Sequence, residues 1–137
     1  MKIFLIDDDQ LSIFLTESML ALEGFTHETK YFLSAAEALE ALGSGGDDAV
    51  PDLIFLDLNM PVMDGWGFLD ALAAAQLNPK IKARCSIYIL TSSLDLADTW
   101  RTEEYPLVSG LIHKPIKSED IKLVLSQHPL LDQSFTQ

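Results

Sequence analysis

The chain has 137 residues, 48% of them hydrophobic, and 9 Lys and Arg against 21 Asp and Glu give it a formal charge of -12. One domain of that size buries about two thirds of the surface its unfolded chain exposes, which excludes disorder, and the lone Cys85 excludes an internal disulfide framework. Nine basic residues in so acidic a chain exclude phosphate-backbone binding as the main business, because counterion release needs clustered Lys and Arg.

The first element is the apolar run Ile3 to Ile6, which breaks into Asp7-Asp8-Asp9 too soon for a signal peptide or a membrane span. A soluble, cytoplasmic protein with no membrane partner is therefore expected. Leu11, Phe14, Leu15, Met19 and Leu22 recur at three- and four-residue steps and predict a first helix, capped by Asp9 and stopped by Gly24. Thr26 to Phe32 alternates and is more polar, as an edge strand would be. Ser34-Ala35-Ala36-Glu37 is a capping box for a second helix ending near Gly43, and the glycine- and aspartate-rich stretch from Gly43 to Pro51 reads as a loop.

Leu53 to Leu56 is a second unbroken apolar run, followed by a polar turn in which Asp64 caps a third helix carrying Phe68, Leu69 and Leu72. Asn78-Pro79-Lys80 reads as the end of that helix. A third apolar run, Ile87 to Leu90, precedes a fourth helix from Asp95 to about Glu103, a short strand from Ser109 to His113, and a last helix opened by Ser118-Glu119-Asp120. Five strand-helix units in series predict an α/β fold with a five-stranded parallel sheet, helices on both faces and strand order 2-1-3-4-5. The domain is expected over residues 2–127, with 128–137 a short tail and no output domain.

In a doubly wound sheet the functional crevice lies beyond the carboxyl ends of the strands. Those ends are chemical in this sequence: Asp7-Asp8-Asp9, Asp57-Leu58-Asn59, Leu90-Thr91-Ser92 and His113-Lys114-Pro115. Two carboxylates about 4 Å apart repel by roughly 4 kcal/mol at an effective dielectric near 20, so Asp7, Asp8 and Asp57 need a cation or a raised pKa. Lys114 supplies one charge. The remaining excess, in an oxygen-only set, fits Mg²⁺ better than zinc or copper. Taken singly, an acidic triplet is a polar loop with a helix cap, a lysine before proline is a surface lysine, and a threonine closes a strand; the combination carries the specificity.

These segments, together with Pro51 through Gly65 (PDLIFLDLNMPVMDG), resemble the receiver domain of two-component response regulators over roughly residues 2 to 127, in the stand-alone form of the chemotaxis regulators. The resemblance implies a flavodoxin-like fold in which Asp57 accepts a phosphoryl group from a histidine of a sensor kinase or phosphotransfer protein. It also implies Mg²⁺ held by Asp7, Asp8, Asp57 and the backbone carbonyl of Asn59, with Thr91 and Lys114 on the phosphoryl oxygens. A cis peptide between Lys114 and Pro115 belongs to the same pattern, and the signal would pass either to a downstream protein that binds the face of helix 4, strand 5 and helix 5 or onward by relay of the phosphoryl group. One departure stands out: the aromatic that the family commonly places three residues before its lysine is Leu111 here, so coupling must use the Thr91 loop and other side chains, with Tyr105 a candidate mobile aromatic.

Two rivals remain in the sequence. A Mg²⁺-dependent phosphatase of the haloacid dehalogenase type also uses an aspartate after a buried strand, but needs a second Asp two residues on; Asn59 stands there and cannot transfer a proton. The other is a pseudo-receiver, an interaction module with the fold and no phosphorylation, against which all four motif positions are intact.

Overall fold

A computed structural model of the chain describes residues 2–24, 28–46 and 49–127. Five strands, β1 (Lys2–Ile6), β2 (Glu28–Phe32), β3 (Leu53–Asp57), β4 (Ser86–Thr91) and β5 (Val108–His113), form one parallel sheet in the order β2-β1-β3-β4-β5. This is the expected topology. β3 is buried along its whole length, whereas β2 is largely exposed, which is why one reads as an unbroken apolar run and the other as a polar edge. The tail 128–137 and residues Thr26 and His27 of the expected second strand lie outside the described residues.

Alternation along the strands builds two cores. Phe4, Ile6, Ile54, Leu56, Ile87 and Ile89 face α2 (Ala35–Ser44), α3 (Gly65–Ala74) and α4 (Asn78–Arg84). Ile3, Leu5, Leu53, Phe55, Tyr88 and Leu90 face α1 (Gln10–Leu22) and α6 (Ser118–Gln127). The helix starts follow the sequence closely. Asp9 accepts from the Leu11 N–H at 3.0 Å, Ser34 from the Glu37 N–H at 3.3 Å, and Asp64 from the Gly67 N–H at 2.8 Å. Gly24 sits at φ +83°, the left-handed conformation that ends α1.

Three local expectations give way. Most of the stripe that announced α1 lies on its outer face: Leu11, Phe14, Leu15 and Leu22 are 46–79% exposed, while Met19 packs partly against the core and Ser12, Ile13, Thr16 and Leu20 are the buried residues. Helical periodicity finds the helix but not which side is covered. The third helix ends at Ala74 without glycine, because Gln76 takes φ 59° and the Leu77 N–H bonds the Leu72 carbonyl at 2.9 Å, a Schellman closure. Asn78-Pro79 then opens α4 instead of ending α3, since a proline in the first turn has no intrahelical N–H to lose. The fourth expected helix accordingly becomes α5 (Leu96–Arg101), continued by a 3-10 turn over Thr102–Glu104, and the fifth becomes α6. Smaller shifts lengthen α2 to Ser44 and start β5 at Val108.

Candidate phosphoryl-acceptor site

Asp7 and Asp57 leave the carboxyl ends of the neighbouring central strands β1 and β3, and each is about 95% buried. Asp7 is fixed by backbone: its N–H donates to the Phe32 carbonyl at 3.0 Å, and its Oδ1 accepts from the Asp9 N–H at 3.0 Å. Asp8, next in the chain, is exposed. Carboxylate oxygens of Asp7, Asp8 and Asp57 come within 4.8 Å of one another, a set that could hold a metal ion.

Lys114 reaches in from the end of β5. Its Nζ donates to Asp7 Oδ2 at 2.8 Å and to Asp57 Oδ1 at 3.2 Å. Its backbone N–H donates to the Thr91 carbonyl at 2.8 Å, and its peptide bond to Pro115 is cis. Thr91 closes β4, wholly buried, and its Oγ1 accepts from the Ser93 N–H at 3.0 Å. Asn59 follows Asp57 by two residues, and its backbone N–H lies near enough to that carboxylate to favour its charged form. The structure thus brings Asp7, Asp8, Asp57, Asn59, Thr91 and Lys114 to one end of the sheet.

One ammonium among three carboxylates leaves the site short of positive charge. Burial first, and then the charge of Asp7, push the Asp57 carboxyl up to about 6 against the opposing pull of Lys114 and of the Asn59 N–H. Burial alone would lower the Lys114 ammonium, but its hydrogen bond to Asp7 and the charges of Asp57 and Asp7 outweigh that and raise it. Asp57 is therefore a buried carboxylate that a further cation would stabilise, and the donors are all oxygens, the chemistry of a hard divalent ion.

The loop after β3 is shaped for this position. A side chain at residue 65 would place its Cβ 2.8 Å from the Asp57 carbonyl and 2.9 Å from Leu58, so only glycine lets α3 start so close behind Asp57, where its N–H bonds the Leu58 carbonyl at 2.9 Å. Pro61 to Met63 forms a tight γ-turn, closed by a 2.8 Å bond from the Met63 N–H to the Pro61 carbonyl. It forces Val62, fully exposed, to φ 70°. Beside the ammonium opens a cleft of about 290 Å³ between α1 and the turn after β5, lined by Leu11, Leu15, Ser92, Lys114, Pro115 and Ile116. Sequence reasoning missed Val62, because no residue type signals a strained β-branched position. It also missed Trp66, whose ring stacks on Tyr105 39 positions away.

Among the described residues no helix is long and apolar enough to cross a membrane. The family model for the response regulator receiver domain matches residues 3–126. A response regulator receiver protein from Dyadobacter fermentans superposes with a TM-score of 0.79 at 28% identity, covering 92% of this chain and 95% of that one. The phosphorylated cyanobacterial phytochrome response regulator RcpA superposes at 0.70 and 31% identity, covering 90% and 87%. Hybrid signal transduction histidine kinase L of Dictyostelium discoideum is 28% identical over 93% of this chain, which spans only 7% of that kinase's length. With a matching family model over nearly all of its described length, and the strand order and strand-end residues already in place, this chain belongs to the response regulator receiver domain family.

Proposed function

We propose that Asp57 accepts a phosphoryl group from a phosphohistidine of a sensor kinase or histidine phosphotransfer protein, in a reaction that depends on Mg²⁺. The observation that carries this reading is the meeting of the Asp7, Asp8 and Asp57 carboxylates at the mouth of the sheet, with the Lys114 ammonium bonded to Asp7 and Asp57. In the transfer, an Asp57 carboxylate oxygen forms a bond to phosphorus as the phosphorus–nitrogen bond of the donor breaks, and the departing imidazole takes up a proton. Asp7, Asp8, Asp57 and the backbone carbonyl of Asn59 would hold the Mg²⁺, which when bound neutralises charge on the phosphoryl oxygens.

The chain's own groups do the rest. Asp57 is a weak nucleophile whose main requirement is alignment, and Gly65 lets the loop hold it at the mouth of the sheet. Lys114, already poised between two carboxylates, turns its ammonium to a phosphoryl oxygen once Asp57 carries the phosphoryl group as an acyl phosphate. Thr91 can offer its hydroxyl proton to another oxygen while still accepting from Ser93, so its loop would follow the phosphoryl group. The signal would be read by a downstream protein on the face of α5, β5 and α6, where Leu94, Leu96 and Trp100 stand 65–82% exposed. Domains of this family act as signalling phosphoacceptors and not as enzymes with a turnover substrate. The proposed setting is the cytoplasm, with no nucleic acid or membrane partner, and the receiver unit is taken as residues 2–127.

Phosphoramidate, a small donor with the same phosphorus–nitrogen bond, provides the test. Intact-mass spectrometry is expected to find one Mg²⁺-dependent adduct on the wild type and none on Asp57→Asn. A folded wild type that stays unmodified with Mg²⁺ present would leave the pseudo-receiver reading in its place.

A further inference from the structure

Alone among the α-helices of the described chain, α5 buries none of its residues. It is held by its two ends. At the first, a run of hydrogen bonds leads back to the site: the Ala97 N–H donates to Asp95 Oδ1 at 3.0 Å, the Asp95 N–H to Ser93 Oγ at 3.2 Å, and the Ser93 N–H to Thr91 Oγ1 at 3.0 Å. At the second, the Arg101 guanidinium lies 4.8 Å over the Trp66 ring and the Tyr105 ring stacks on it at 5.2 Å and 29°. The Tyr105 hydroxyl donates to Asp70 Oδ1 at 3.0 Å, one turn further along α3. Trp66 itself is 5% exposed and follows Gly65, the residue bonded to the Leu58 carbonyl directly behind Asp57.

Both tethers of α5 are therefore rooted at the acceptor. A helix with no buried face of its own costs little to displace, and its position is set by what holds its ends. Leu111, where the family's aromatic would stand, cannot report the state of the site by a ring flip, whereas Trp66, Tyr105 and Arg101 form a ring stack that joins α3 to the approach to β5. Cation–π and ring stacking are strongly directional, so a small rotation of α5 alters the stack without exposing core.

We propose that Trp66, Tyr105, Arg101 and Asp70 are positioning residues forming a clamp about which α5 pivots, and that occupation of Asp57, passed through Thr91, Ser93 and Asp95, changes the packing of Arg101 and Tyr105 on Trp66. The inference rests on the phosphoacceptor reading above. Its test uses the full chain with Trp100→Phe, which leaves Trp66 as the one tryptophan. Beryllofluoride with Mg²⁺ is titrated in, and the fluorine NMR signal of bound beryllofluoride measures occupancy of Asp57 independently of Trp66 emission. Trp66 emission is expected to change in proportion to occupancy. The change is expected to fall roughly twofold or more in Tyr105→Phe, which keeps the ring and loses the hydroxyl's contacts with Asp70 and Arg101, and in Arg101→Met, which keeps the stem and loses the cation. Either variant loosening the fold in general would speed hydrogen exchange in α5 before beryllofluoride is added, but would leave the emission change per bound beryllofluoride intact, and that result overturns the clamp. Full occupancy with no change in Trp66 emission also overturns it while the phosphoacceptor reading stands. No bound fluorine signal removes both.

Discussion

Asp52 and Asp57 stand at opposite ends of β3, five positions apart, and are buried to nearly the same degree, yet the chain uses them differently. Asp52 is stitched into the fold. Its Oδ2 accepts from the Lys2 N–H at 2.8 Å, Arg84 lies 3.8 Å from its Oδ1, and its own backbone bonds Lys2 on one side and Ser86 on the other. That one residue ties together β1, β3 and β4. Asp57 shares a single ammonium with Asp7 and is left with its carboxyl pushed up to about 6, burial being the larger cause and Asp7 the second. A buried carboxylate with its own partners holds structure, and one that must share a cation is available for chemistry.

Exchanging the two roles gives the largest effect. Asp57→Asn is expected to abolish Mg²⁺-dependent phosphorylation and, free of metal near pH 7, to raise stability by on the order of 1 kcal/mol, because it removes an under-compensated buried charge. Asp52→Ala should do the reverse: lose about 2 kcal/mol in urea unfolding by leaving the Lys2 N–H without its carboxylate, yet still be phosphorylated. Equal phosphorylation losses in both variants would erase the contrast.

Next comes the site's own cation balance. Asp8 is exposed, so Asp8→Ala is expected to fold normally while weakening Mg²⁺ binding about tenfold or more, and an unchanged dissociation constant in calorimetry would contradict its assignment. Lys114→Ala is expected to keep Mg²⁺ binding, or to tighten it, because it removes a competing positive charge; phosphorylation should then fail to alter the α5 face. Abolished metal binding in that variant would break the argument.

A pH series sharpens the comparison further. Asp57 has a folded-state pKa of about 6, above its ordinary value of 3.8, so the folded protein holds a proton that the unfolded chain has already released. The stability this contributes is full below about pH 4, is lost as pH rises through about 6, and levels off about one unit above that. Metal-free wild type minus Asp57→Asn should show that fall in unfolding free energy, and a difference that is flat from pH 4 to 7 would contradict the raised carboxyl. The smallest effect belongs to the loop: Val62→Gly relieves a β-branched side chain at φ 70° and is expected to stabilise the fold by about 1 kcal/mol in the same urea assay.

The site was legible in the sequence because its main residues stand where an expected strand of the parallel sheet ends, three of those strands being buried apolar runs that must stop where polarity begins. Asp7, Asp57, Thr91 and Lys114 are all of that kind. Helix starts were legible for a similarly local reason, a capping oxygen two or three residues before its N–H, as at Asp9, Ser34 and Asp64. What stayed hidden depends on tertiary placement. The apolar stripe of α1 carries the same periodicity whether it faces the sheet or away from it. The end of α3 is set by Gln76 in a left-handed conformation, and the Trp66–Tyr105 stack joins residues that only the completed fold brings together.

The most direct measurement of the central claim locates the modified residue. After treatment with acetyl phosphate and Mg²⁺, borohydride reduction converts an aspartyl phosphate to homoserine, which peptide mass spectrometry can place in the chain. Homoserine at position 57 alone is the expected result. Homoserine at position 7, 8 or 52 instead, or none in the folded, Mg²⁺-bound protein, would contradict the account.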